Sequence, residues 1–312
     1  MIVSSPASGS TVSSPVHFVA SATSTSTVTA MRIYVDNNSV YLTNSARIDT
    51  KIALSNGTHS VTVQAWDKAG RVQKSSRTIS VRSSTSNYTG GSPEPGSGAK
   101  VFSKIEQMSG WQWCDRCAGP GGNGTTASYW MKRGISSPSM DGSSTQFFLG
   151  GTNPYAAALW WKQLGGNASV KNFVYDMYFY IKNPGAAQAL EFDVNQAQNG
   201  KRFIFGTQCD YKDHKTWDVF DGVARKWIST GIPCSAPQAY TWNHVVFEFQ
   251  RTSDNRAKFV SVTLNGKKNY INRSYAAHSS GSYELNVAFQ MDGNKDMTDY
   301  SVWLDQVKLT VW

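Results

Sequence analysis

The residues best able to do chemistry stand in Leu190-Glu191-Phe192-Asp193-Val194-Asn195-Gln196. Read as a strand, this segment puts Glu191, Asp193 and Asn195 on one face and Leu190, Phe192 and Val194 on the other. Carboxylates two residues apart on a sheet face stand ~7 Å apart, close enough to perturb each other's ionisation, which acid-base chemistry exploits. The bland alternative is an exposed polar face, or pairing with lysine and arginine. Gln208 and Asp210 flank Cys209, and Gln290 and Asp292 alternate with Phe289 and Met291. Amides and carboxylates recurring beside apolar partners suit hydrogen bonding to sugar hydroxyls, because glycans supply both donors and acceptors. All of the 11 tryptophans except Trp66 follow residue 100. Most must be core. Trp113 in Trp-Gln-Trp-Cys-Asp and Trp217 in His-Lys-Thr-Trp-Asp have polar surroundings and are expected to be stacking platforms for a pyranose.

Four cysteines occur, Cys114, Cys117, Cys209 and Cys234. An even number in a chain of extracellular character favours disulfides. Of three connectivities, Cys114 to Cys117 with Cys209 to Cys234 is the expected one, because each pair is close in sequence and brackets a loop. Zinc is the alternative, but only one pair has a two-residue spacing and no second knuckle follows.

These residues need rigid elements behind them. Val170 to Ile181, Ala189 to Asn195, Arg202 to Gln208, His244 to Gln250, Phe259 to Leu264, Leu285 to Met291 and Ser301 to Val311 all read as strands, and helical periodicity is nearly absent. Their lengths suit a large two-sheet jelly roll over residues 100–312. Asn265-Gly266 signals a type I′ hairpin. Residues 83–99 are rich in Gly, Ser and Pro, with almost nothing to pack, and are expected to be a linker. Residues 1–82 hold shorter alternating runs, among them Val16 to Ala20, Met31 to Val35 and Ser60 to Trp66, which predict about seven antiparallel strands in a small β-sandwich.

Ser5-Pro6-Ala7-Ser8-Gly9-Ser10-Thr11-Val12, the strand Met31 to Asp36 and the stretch Gly57 to Gly70 resemble bacterial immunoglobulin-like repeats. The resemblance implies a spacer domain without catalysis in a bacterial secreted or surface protein. Thr241-Trp242-Asn243-His244-Val245 followed by the Leu264-Asn265-Gly266 hairpin resembles the concanavalin A-like lectin and glucanase sandwiches. So does the ending Val302-Trp303-Leu304-Asp305-Gln306-Val307-Lys308-Leu309. Ile105 to Trp111 is similar to the first strand of jelly-roll carbohydrate-binding modules. The strand at Glu191 resembles the Glu-x-Asp-x-(x)-Glu signature of retaining β-glucanases, which implies Glu191 as nucleophile and Asp193 as its helper. Where the second Glu should stand there is Asn195 or, with a bulge, Gln196, and an amide cannot donate and recover a proton. An acid would have to come from Glu248, Glu284 or Asp292. The resemblance further implies a structural Ca²⁺ held by Glu106 and Asp305 through oxygen ligands.

The net charge is +9, and residues 1–82 (eight basic, three acidic) and 100–312 (22 basic, 17 acidic) each carry about +5 without a block. Scattered charge with no recognition-helix pattern argues against a nucleic-acid site. No apolar run reaches the ~18 residues of a membrane span. No leader pattern follows Met1, so a secreted chain would stand here in mature form. The expectation is a secreted, monomeric all-β protein without organic cofactor. Its jelly roll would recognise a polysaccharide, a β-glucan by the resemblance, through Glu191, Asp193, Gln196, Gln208, Asp210, Trp113, Trp217, Gln290 and Asp292. The alternatives are a glycoside hydrolase working through Glu191 and Asp193, and a surface or adhesion protein that takes no glycan. A polysaccharide lyase is disfavoured, because His, Tyr and Arg form no recognisable lyase strand motif.

Overall fold

A computed structural model describes residues 1–12, 16–52, 54, 57–81, 98–115, 128–166 and 169–312. The chain divides into two compact units. The expected linker 83–99 lies outside the described residues except for Gly98 and Ala99. Among the described residues no helix is long and apolar enough to cross a membrane.

The first unit is a sandwich of two sheets. One holds Ile2–Ser5, Val16–Ser21 and Arg47–Ile52; the other runs Thr11–Val12, Val72–Val81, Gly57–Asp67, Val28–Val35, Asn38–Thr43. Alternation does the sorting: Met31, Ile33 and Val35 turn inward with Val61, Val63, Ala65 and Phe18 into one apolar cluster. Asp36 and Asn37 both take positive φ (48° and 67°), the geometry that a two-residue hairpin requires.

The second unit is the expected two-sheet jelly roll. One sheet runs Ser128–Ile135, Ser144–Gly150, Tyr300–Val311, Asn172–Ile181, Thr241–Arg251, Arg256–Leu264, Lys267–Ala276. The other runs Trp111–Cys114, Ala157–Gln163, Glu284–Gly293, Ala187–Gln198, Lys201–Asp210, Thr216–Asp221, Lys226–Pro233. The strands expected from alternation all form, and Asn265 and Gly266 take the two positive φ angles (49° and 82°) of the predicted hairpin. Phe147, Phe192, Phe205, Phe247, Phe249, Phe259 and Phe289 fill the space between the sheets in edge-to-face, tilted and stacked pairs. This packing fixes the phase of each strand, so the opposite face of the Glu191 sheet must carry its polar residues.

Candidate functional site

The strand Ala187–Gln198 lies between Glu284–Gly293 and Lys201–Asp210, near the middle of its sheet. Leu190, Phe192 and Val194 are fully buried in the core, which turns Glu191, Asp193 and Asn195 to the other side. The antiparallel register builds that side in rows. One row reads Leu159, Gln290, Glu191, Gln208, Asp218, Ser229. The next reads Trp161, Ala288, Asp193, Gly206, and continues to Phe220 and Trp227. Asp292 stands across from both Ala157 and Ala189, diagonal to Glu191. On the far side Asn195 Nδ2 donates to Asn286 Oδ1 at 3.1 Å.

The middle of this face is recessed. Asp193 is only 6% exposed, Ala288 2%, Gln290 5% and Gln208 8%. The small side chains beside Asp193 leave it in a slot between Trp161 and the Phe220–Trp227 pair, whose ring centroids are 5.2 Å apart. Gly206 keeps that slot open: a Cβ there would meet Phe220 Cβ at 2.9 Å, Asp193 Oδ1 at 3.3 Å and the Trp227 ring at 3.4 Å.

The electrostatics follow from burial and crowding. Desolvation pushes Glu191 well above the ordinary carboxyl range, and the charges of Asp193 and Asp292 push it further. Asp193 is raised to about 7 by burial, against the opposing hydrogen bonds from Glu191 and the Thr207 amide. Asp292 is likewise raised to about 7 by burial, opposed by the Gln290 amide 2.8 Å from its Oδ1 and reinforced by the charge of Asp193. Glu191 therefore keeps its proton and hydrogen-bonds through it to the Asp193 carboxylate. Asp193 Oδ1 is buried without a hydrogen-bond partner. A carboxyl acceptor left unsatisfied at this depth is costly, and a ligand hydroxyl would satisfy it.

Several expected site residues share this face: Glu191, Asp193, Gln208, Asp210, Gln290 and Asp292. Three do not. Gln196 is fully buried, and its Nε2 donates to the Val170 carbonyl at 3.2 Å. The strand has no bulge at this point, so even-numbered residues here belong to the core side. Trp217 is 3% exposed and packs edge-on against Phe247 with centroids 5.6 Å apart, because it shares the inward phase of Val219. Trp113 is 58% exposed but pairs with Trp160, and that register phases it with the core side, at the sheet's edge strand. The aromatic flanks are instead Trp161, Phe220 and Trp227. For Phe220 a signal existed, since alternation in Trp217-Asp218-Val219-Phe220 separates two inward from two outward residues. For Trp161 none did, because the adjacent Trp160 and Trp161 leave the phase open.

Of the acids considered for proton transfer, Glu248 lies on the other sheet, held by Lys268 Nζ at 2.8 and 2.9 Å and by Ser261 Oγ at 2.8 Å. Glu284 sits at the end of the polar face, bonded to Arg202 and, at 2.9 Å, to Gln163 Nε2. Asp292 alone of the three adjoins Glu191.

Glu106 and Asp305 occupy a separate place. Both are fully buried. Glu106 Oε2 accepts the Val307 amide at 2.9 Å, and Asp305 accepts the Ser139 hydroxyl at 2.9 Å and the Met140 amide at 2.6 Å. Burial raises Glu106 to about 7, and the charges of Asp305 and Asp141 add to this. Glu106 Oε1 is buried without a partner, and Lys104 pairs with Asp141 at 2.9 Å. Two buried carboxylates with a free oxygen suit a hard cation.

Cys209 and Cys234 form a disulfide that fastens the end of the Lys226–Pro233 strand to Lys201–Asp210. Cys114 is not a free thiol. Its expected partner Cys117 lies outside the described residues.

Comparisons with known proteins bear on the first unit above all. Residues 1–63 match the family model described as a bacterial Ig domain. No curated protein matches the sequence. Among solved structures, one similar to this chain comes from work on the promiscuous specificity of carbohydrate-binding modules of the β-sandwich superfamily. It is 13% identical with a TM-score of 0.38, over 98% of this chain and 95% of that one. Arcelin-5, a lectin-like defence protein from Phaseolus vulgaris, is 12% identical with a TM-score of 0.40, over 68% of this chain and 97% of that one. A prokaryotic β-1,3-1,4-glucanase (lichenase) derived from a mouse hindgut metagenome is 11% identical with a TM-score of 0.39, over 68% and 98%. At such scores the likeness carries no inference about activity, which must come from the site itself.

Proposed function

We propose that the second unit binds a neutral polysaccharide, a β-glucan by sequence resemblance, along the polar face centred on Asp193, and that the chain is a secreted bacterial protein in which the first unit acts as spacer. The observation that carries this reading is the recessed, unpartnered Asp193 Oδ1 flanked by Trp161 and the Phe220–Trp227 pair. Aromatic faces match the apolar faces of a pyranose, while Gln208, Gln290 and Asn195 supply the donors and acceptors that ring hydroxyls need. The crowding of Glu191, Asp193 and Asp292 disfavours a polyanion, since the charges of Asp193 and Asp292 already raise Glu191 and that of Asp193 raises Asp292. Affinity electrophoresis of the full chain against plant and microbial glucans tests it. Retardation by at least one glucan is expected, abolished in Trp161→Ala and Asp193→Ala. No retardation by any glucan would favour the adhesive reading.

Hydrolysis is the second reading, favoured by the placement of Asp292 beside Glu191. Glu191, holding its proton, would serve as the acid and a deprotonated Asp292 or Asp193 as the base, the reverse of the nucleophile role that resemblance implies for Glu191. Reducing-sugar release by the wild type that vanishes in Glu191→Gln would establish it.

Glu106 and Asp305 would hold a structural Ca²⁺. The ion would neutralise two buried carboxylates and fasten Ile105–Gln107 to the final strand. A lower melting temperature on addition of chelator is the expected result.

A further inference from the structure

At the edge of the polar face lies a second cluster that the proposed function does not use. Asp210 and Asp218 are 6% and 0% exposed, and His214 between them is half-exposed. One ligand atom from each lies within 4.8 Å of the others. His214 Nδ1 is 2.7 Å from Asp218 Oδ2 and 3.8 Å from Asp210 Oδ2. The opposite oxygens are pinned from outside. Asp210 Oδ1 accepts Gln188 Nε2 at 2.9 Å and the amides of Lys212 and Asp213 at 3.0 Å. Asp218 Oδ1 accepts the Thr216 hydroxyl at 2.8 Å, which is itself 2.7 Å from Ser229 Oγ. Each carboxylate thus has one oxygen fixed by an outer shell and the other turned toward the same imidazole nitrogen. Asp210 Oδ2 also accepts the His214 amide, at 3.1 Å.

Among the described residues neither carboxylate forms an ion pair with lysine or arginine, so His214 is the one basic side chain facing the two inward oxygens. A divalent cation placed among these three atoms would meet both carboxylates at once, and binding it releases any proton carried by His214 Nδ1. One imidazole nitrogen with two carboxylate oxygens is a donor set for a first-row divalent ion rather than calcium. Ligating carboxylates with fixed second oxygens are what orients such a set. We infer that Asp210, His214 and Asp218 bind a divalent transition-metal ion such as zinc at the edge of the polar face. The exposed side of His214 leaves coordination positions open, and the ion would clamp the Thr216–Pro233 hairpin, which carries Phe220 and Trp227, to the strand ending in Asp210.

The test uses the full chain stripped with chelator, titrated with zinc chloride by calorimetry, and does not depend on any glycan. One saturable site is expected, weakened by at least about tenfold in His214→Ala and by less in Thr216→Val, which keeps the ligands but frees Asp218. The exposed pair of His17 and Asp49 could hold zinc weakly, so His17→Ala should retain the site. Calcium should not compete. A wild type without a saturable site below millimolar zinc would overturn the inference, as would a folded His214→Ala that binds like the wild type. Zinc-dependent shifts of the His214 ring resonances give a second readout: their absence counts against the site even if calorimetry shows heat.

Discussion

Asp67 in the first unit and Asp193 in the second are equally shielded from water, 6% exposed each, yet their acidities move in opposite directions. Asp67 is lowered, first by the Ser24 hydroxyl at 2.5 Å, with further help from Arg71. It also receives the Ala69 and Arg71 amides at 3.0 Å, so every lone pair that faces inward has a donor. Asp193 is raised to about 7, lies against another carboxyl and leaves one oxygen unsatisfied. Burial alone therefore does not decide the charge of a carboxyl; the donors around it do. The first unit spends its buried acid on holding a turn. The second keeps acids short of partners on an open face, an arrangement that adds nothing to folding and suits a ligand.

If the contrast is confined to polar residues, the apolar cores of the two units should behave alike, and this is where the largest effects are expected. Phe192→Ala opens a cavity behind the polar face and should destabilise the second unit by about 3–5 kcal/mol; Ile33→Ala should take about 2–5 kcal/mol from the first. Denaturant unfolding followed by residue-resolved hydrogen exchange in the full chain reads each. A loss below 1 kcal/mol at Phe192 would mean that the second sandwich is not packed as described. The acids should then part company in sign. Asp67→Ala strands its donors and should lower the melting temperature. Asp193→Asn removes a desolvated carboxylate, so at pH 8 it should leave stability unchanged or raise it while glycan retardation is lost. A destabilised Asp193→Asn would put Asp193 in the same structural class as Asp67.

Much of this contrast was legible in the sequence, and the part that was not has a physical cause. Alternation around Phe192 gave the phase of Glu191, Asp193 and Asn195, and the apolar partners Phe289 and Met291 did the same for Gln290 and Asp292. The core enforces these phases, so local pattern and fold agree. Gln196 failed because it is a polar residue at a core position, paired with the Val170 carbonyl, and pattern alone reads such a residue as outward. Trp217 failed because polar neighbours in sequence are not neighbours in space. Trp161 and Trp227 were missed because the partners of an aromatic across a sheet depend on strand order, which joins Ala157–Gln163 to Glu284–Gly293 over more than 120 residues of sequence. Asp218 and His214 show the same limit, since their cluster exists only once Lys201–Asp210 and Thr216–Asp221 pair.

A smaller effect, but one of opposite sign in the two units, is expected with pH. A carboxyl whose folded pKa is raised binds its proton in the native state while the unfolded chain has already lost it, so stability falls with rising pH between the two values. For Glu106, Asp193 and Asp292 that window runs from about 4, the unfolded value, to about 7. Asp67 is lowered, so its contribution is present above about 4 and fades as the pH falls through its folded value. Hydrogen exchange at pH 5 and 7.5 should thus show slower opening of Ala187–Gln198 at the lower pH, with the slope reduced in Asp193→Asn and Asp292→Asn. A slope that survives both substitutions would assign it to Glu191, whose shift has burial as its first cause, or to Glu106 and Asp305.

The smallest change belongs to an acid that is neither buried nor short of partners. Asp176 and Lys308 face each other across neighbouring strands of the other sheet, 2.8 Å apart, with side chains 19% and 43% exposed. Water and salt screen such a pair, so Lys308→Ala should cost less than about 1 kcal/mol, and 1 M NaCl should erase most of that difference. The same salt should barely alter the pH slope at Asp193, because its first cause is loss of hydration, which mobile ions outside the slot do not restore. Equal salt sensitivity of the two would mean that Asp193 is reached by solvent ions and is not held in a recess between Trp161 and Trp227.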